Sequence, residues 1–214
     1  MKNMKAIGAI KHAAQKGFTI IELVVVILLL GILTATALPR FLDVTTEAHE
    51  SVVGGVQGGL RTGLALFRAN WFALSQPTTG IADFNSLLPN TDGFPIGLSG
   101  ATSAALSQTH CTSIFTGVLQ DATQLVGNAN TVSATTFGTD ATAAAMTNTG
   151  ITDAVTYKDT NNLDFDFVAA YTSASPVTCQ YWYISDAARQ TNTTAPYLTY
   201  LPNSGTLTRS NIDN

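Results

Sequence analysis

At 214 residues the chain has room for one domain with an appendage or for two small domains. Only 11% of residues are charged and mean hydropathy is +0.20, so some apolar surface lies outside a water-facing core. Of ten basic side chains four precede Phe18 with no acid among them; the remaining six face fourteen acids, and a body this acidic excludes nucleic-acid binding through a broad basic face.

Residues 1–17 carry Lys2, Lys5, Lys11 and Lys16 and lack an apolar stretch of their own, as a targeting segment does. Phe18 to Leu38 then gives 21 residues with one charge, Glu22. As a helix this segment is about 31 Å long, the thickness of a bilayer core. Lysines ahead of the span hold that end in the cytoplasm by the positive-inside rule, so the rest of the chain faces outward. An ordinary cleaved secretory signal, with "TATAL" at 34–38 imitating its cleavage site, is the competing reading.

After Pro39 a helical rhythm resumes. Phe41, Val44, Ala48, Val52, Val56, Leu60, Leu64, Phe67, Trp71 and Leu74 form one stripe at spacings of three or four. Gly54, Gly55, Gly58, Gly59 and Gly63 interrupt it, each costing about 1 kcal/mol against alanine. Either they admit a closely packed backbone or this helix is locally weak. From Gln76 the composition turns to loops, including a Thr/Ala/Ser-rich stretch over 99–150, around a short helix carrying Ile114, Phe115, Val118 and Leu119. Strand signals follow. "LDFDFVAAY" places Leu163, Phe165, Phe167 and Tyr171 on one face with Asp164 and Asp166 opposite. "VTCQYWYI" groups Cys179, Tyr181 and Tyr183, and "YLTYL" is a further strand. A long helix, loops and then an antiparallel sheet predict an α+β fold.

Cys111 and Cys179 are 68 positions apart, with no CxxC and no nearby histidine to suggest zinc. An oxidising compartment favours one disulfide, worth about 4 to 5 kcal/mol by loop entropy; two buried thiols are the alternative. His49 and His110 stand at no catalytic or metal-binding spacing, so neither an enzyme, a cofactor nor a metal site is expected. "DTNNLD" at 159–164 lacks the glycine and distal glutamate of a calcium loop and reads as a turn between strands.

Lys16-Gly17-Phe18-Thr19, with Glu22 fifth after Gly17 and an apolar helix beyond, resembles the class III signal of type IV prepilins and related pseudopilins. That resemblance implies removal of leader 1–17 by a prepilin peptidase cutting between Gly17 and Phe18, and methylation of the new Phe18 amine. It implies a long N-terminal helix over 18–75, with 18–38 in the membrane or filament core, and a globular head over 76–214. The implied partners are further copies of the chain in a homopolymer, the peptidase and the inner-membrane assembly machinery. The prepilin would reside in the inner membrane with its head in the periplasm, and the product would be an extracellular filament for adhesion. Gly31 and Pro39 match positions flanking a segment unwound in assembled pili; both are weak helix residues on physical grounds too. "ALPRFLDV", "GFPIG" and "CTSIF" resemble mannose-sensitive haemagglutinin (MSHA) pilins, whereas a 17-residue leader is long unless translation starts at Met4. A type II secretion pseudopilin or minor pilin is the alternative. Under this resemblance Glu22 meets the Phe18 ammonium of a neighbouring copy and sets the register of assembly.

Overall fold

Helix α1 runs from Ile20 to Ala73. The computed structural model describes residues 18–102, 106–120, 126–127, 148–172 and 175–211, with backbone alone at 38–44, 126–127 and 148–149. The leader and Gly17, and most of the Thr/Ala/Ser-rich stretch, lie outside the described residues, as do the side chains of Phe41 and Val44 from the expected stripe. The chain divides into two compact units at Thr45 and Thr46.

In the first unit every apolar side chain from Ile20 to Leu33 is exposed. The segment Ile20–Ala37 is long and apolar enough to cross a membrane. Its threonines make no demand on a neighbour, because Thr34 Oγ1 donates to Leu30 O at 2.6 Å and Thr36 Oγ1 to Leu33 O at 3.0 Å. The helix is unbroken through Gly31 and Pro39.

The second unit is the head. After a 3-10 turn at Ala82–Phe84, the two-residue strand β1 (Leu88–Pro89) pairs with β2 (Pro95–Gly97). Helix α2 spans Gln108–Leu119 and α3 spans Asn148–Thr160. The main sheet has order β3-β4-β5-β6-β7, with β3 at Val126–Gly127, β4 at Phe167–Thr172, β5 at Thr178–Tyr183, β6 at Tyr197–Leu201 and β7 at Thr206–Ser210. Strands β4 to β7 form an antiparallel meander, and β3 adds a short parallel edge. The fold is α+β.

One sheet face presents Phe167, Ala169, Cys179, Tyr181, Tyr183, Leu198, Tyr200 and Leu207. It packs on Val53, Leu60, Leu64, Phe67 and Trp71 of α1 and on Cys111, Ile114, Phe115 and Val118 of α2. The other face, with Val168, Ala170 and Trp182, packs on Ile151 and Ala154 of α3. All six residues of β5 are buried in consequence. Cys111 and Cys179 are joined by a disulfide that ties α2 to β5. Tyr181 OH donates to Cys111 O at 3.0 Å beside it, and burial pushes the Tyr181 phenol up.

Several expectations are corrected here. The α1 stripe runs through Val53, not Val52, and Ala48, Val52 and Leu74 are exposed. Phe165 does not share a face with Phe167: it joins the α3 side, and Leu163 is exposed. The strand begins only at Phe167, so no alternation holds before it. "DTNNLD" ends helix α3 instead of joining two strands, with Asn162 in the left-handed region at φ 49°. Helix α3 itself has no counterpart in the expected elements.

The α1 glycines divide between the two explanations. A Cβ added at Gly63 would meet the Val118 side chain and carbonyl, and one at Gly59 would stand 2.9 Å from Leu119 Cδ2, so the end of α2 approaches because these side chains are absent. Gly55 and Gly58 have nothing within 4 Å and are simply poor helix formers.

Candidate processing and assembly site

The N-terminus of α1 is closed by its own side chains. Thr19 precedes the first helical residue, and Glu22 N donates to Thr19 Oγ1 at 3.2 Å. In return Glu22 Oε2 accepts from Thr19 N at 3.3 Å and from Thr19 Oγ1 at 3.2 Å. This is a reciprocal capping box, which satisfies two of the N–H groups that a helix start leaves without partners. The carboxylate also complements the positive end of the helix dipole. Thr-x-x-Glu is present in the sequence, and the carboxylate expected to meet the Phe18 ammonium has a partner in Thr19 of its own chain.

Oxygen Oε1 of Glu22 has no hydrogen bond among the described residues, so the carboxylate retains capacity for a second donor. Phe18, 89% exposed, lies just outside the helix, four residues from Glu22. Residues 18 to 22 therefore present an apolar ring and a half-satisfied carboxylate at the start of the exposed apolar stretch of α1. Gly31, with no atom within 4 Å of an added Cβ, offers open backbone along that helix. An arrangement like this can dock on other apolar helices and accept one cation. Nothing in it suggests bond-making chemistry, and the described residues hold no group of three or more metal-ligating side chains.

In the head a second charged cluster, invisible in the sequence, fixes α1 to the sheet. Arg189 Nη1 meets Glu50 Oε1 at 2.5 Å and Arg189 Nε meets Asp186 Oδ2 at 2.7 Å, while Arg209 Nη2 stands 3.6 Å from Glu50 Oε2. Burial works to lower the Arg189 pKa, but the hydrogen bonds to Glu50 and Asp186 outweigh it and hold the guanidinium above its ordinary value. Beside it His49 Nδ1 lies 2.7 Å from Tyr183 OH. Burial first, then the charges of Asp166 and Asp186, push that phenol up to about 12 against the opposing effect of Arg189.

Residues 12–38 match the family described as the prokaryotic N-terminal methylation motif. The chain is 45% identical over 51 residues to the type IV narrow pilus major component PilA5 of Thermus thermophilus, covering 24% of this chain and 44% of that protein. It is 40% identical over 68 residues to the type IV major alpha-pilin of Moraxella bovis, covering 31% and 43% respectively. The fimbrial protein EcpC of Eikenella corrodens is 29% identical over 119 residues, 54% of this chain and 76% of that protein. The chain thus spans less than half the length of the first two relatives. No solved structure matches it.

Proposed function

We propose that this chain, a type IV pilin by its signal and N-terminal helix, is the major structural subunit of a surface pilus of MSHA-like type that serves attachment. One observation carries the reading: Gly17-Phe18 stands directly before, and Glu22 in the first turn of, a helix whose apolar side chains are all exposed from Ile20 to Leu33. Such a surface needs lipid first and other helices afterwards. Before assembly Ile20–Ala37 spans the inner membrane, the four leader lysines keep Gly17 on the cytoplasmic side, and the head faces the periplasm.

The peptidase removes residues 1–17, since Gly17 lets an extended chain with no side chain at the cut enter its active site. Phe18 then carries a methylated ammonium. In the filament core that cation sits on the free oxygen of Glu22 from an adjoining copy, and a helix out of register leaves two buried charges unpaired. Between Gly31 and Pro39 the helix unwinds on assembly, because Gly31 is conformationally loose and Pro39 lacks a backbone donor. The similar proteins, pilus components and fimbrial proteins by name, support a filament subunit.

Shearing cells and sequencing the released fibres by mass spectrometry tests this reading. The expected result is an abundant chain beginning at methylated Phe18 and absent from a Gly17→Val strain. Recovery only in short periplasmic filaments of a secretion system would assign the chain to the pseudopilins instead. An uncut chain in the fibres would refute the processing.

A further inference from the structure

Five basic side chains of the head are described, and three are matched to carboxylates: Lys158 to Asp166, Arg189 to Glu50 and Asp186, and Arg209 to Glu50. Arg61 and Arg68 have no carboxylate within ion-pair distance among the described residues, and both line one groove of about 420 Å³ between α1 and the β6–β7 hairpin. Backbone carbonyls fix the two guanidiniums in place. Arg61 Nη2 donates to Leu207 O at 3.2 Å, and Arg68 Nε donates to Asp92 O at 3.1 Å. Arg68 also lies over the Phe94 ring at 4.7 Å and over the Phe72 ring at 5.7 Å. Phe72 is 53% exposed. Gly205, at φ +68°, completes the wall, since any Cβ there would strike Phe94. In a chain with so few bases, two anchored cations beside an open aromatic wall suit an occupant with acids flanking an apolar side chain.

The same chain carries such a group. Helix α3 ends at Asp159 and Thr160, and Leu163 N bonds Lys158 O at 3.0 Å, which holds Leu163 and Asp164 in a tight turn. Leu163 is 40% exposed, and Asp159 and Asp164 are exposed with no cation within ion-pair distance among the described residues. Helix α1 packs on one sheet face and α3 on the other. Groove and turn of one head therefore point to different neighbours. Complementary patches on opposite sides of one molecule make a heterologous contact, the kind that propagates into an open helical string.

We propose that the Asp159–Leu163–Asp164 turn of one copy docks in the Arg61–Arg68–Phe72 groove of the next, Leu163 covering Phe72 while the acids meet the guanidiniums. This rests on the polymer reading above, and the charges set register and partner choice more than raw affinity. The test is a chain carrying both Ala65→Cys, inside the groove, and Leu163→Cys, assembled into pili, oxidised and run on a non-reducing gel. A ladder of covalent multimers from the double variant, and from neither single variant, is expected. Arg61→Glu with Arg68→Glu should lower pilus yield severalfold, and adding Asp159→Arg with Asp164→Arg should restore it. Pili that form without a ladder, or a yield indifferent to charge reversal, would overturn the docking alone. So would heparin, rather than assembly, shielding Ala65→Cys from a maleimide, which would give the groove to an anionic polysaccharide. Absence of pili from the unaltered chain would instead sink the polymer reading together with the docking.

Discussion

Ile20–Ala37 and strand β5 are both rich in large apolar side chains, yet the first is exposed throughout and the second is buried throughout. Strand β5 finds its cover inside the chain, from α1 and α2 on one face and α3 on the other. The N-terminal helix has no such cover, and its polar groups close only on themselves, through the Thr19–Glu22 box and the Thr34 and Thr36 back-bonds. The head thus finds its cover within the chain, whereas the exposed helix leaves its apolar side chains to the association proposed above. Substitutions in the head should change stability first, and substitutions at the helix start should change assembly first.

Replacing Cys111 and Cys179 together by serine should cost the head about 4 to 5 kcal/mol, because the bridge closes a loop of 68 positions. Urea unfolding of the detergent-solubilised chain, followed by the fluorescence of the buried Trp71 and Trp182, measures it. Glu50→Gln should cost about 3 kcal/mol by the same assay, since it takes one carboxylate from both Arg189 and Arg209. Both variants should still be cleaved at Gly17.

Thr19→Ala sharpens the contrast at the other end. It removes the cap, worth about 1 kcal/mol of helix start, but leaves the Glu22 charge. Pilus yield should stay near that of the unaltered chain, and a yield as low as that of a Glu22 variant would make capping the reason for Glu22. A smaller effect is expected in the head at low pH. His110 Nδ1 accepts from Ser107 N at 3.3 Å in the capping box of α2, and burial lowers the His110 pKa below its usual 6.5. A group with a depressed folded pKa gives stability that is present above 6.5 and lost as pH falls through the lower folded value. The unfolding midpoint should therefore drop as pH falls below 6.5, and His110→Gln should flatten that slope while keeping the cap.

Charge asymmetry and an unbroken apolar run made the span legible in the sequence, and alternation revealed β5 and β6. Helix α3 was hidden because its threonines, asparagine and aspartates are weak helix formers, held here by Ile151 and Ala154 against Trp182. Phe165 reads as a strand residue because Asp164 and Asp166 alternate with it, but β4 begins only at Phe167, so that alternation sets no face. The Glu50–Arg189 pair joins positions 139 apart and leaves no local trace. At the candidate site the residue types resemble a prepilin start, and the sequence alone does not choose between a local cap and a distant cation as the partner of Glu22. Thr19 three residues before it was the available clue.

Under the proposed function, pilus yield from Glu22→Ala and Glu22→Gln, each expressed without any unaltered chain, separates the two uses of that carboxylate. Glutamine can keep the capping box and lacks only the charge. Both chains should insert and be cleaved after Gly17, Glu22→Ala giving few or no pili and Glu22→Gln an intermediate number. Full yield from Glu22→Ala would contradict assembly through the Phe18 ammonium.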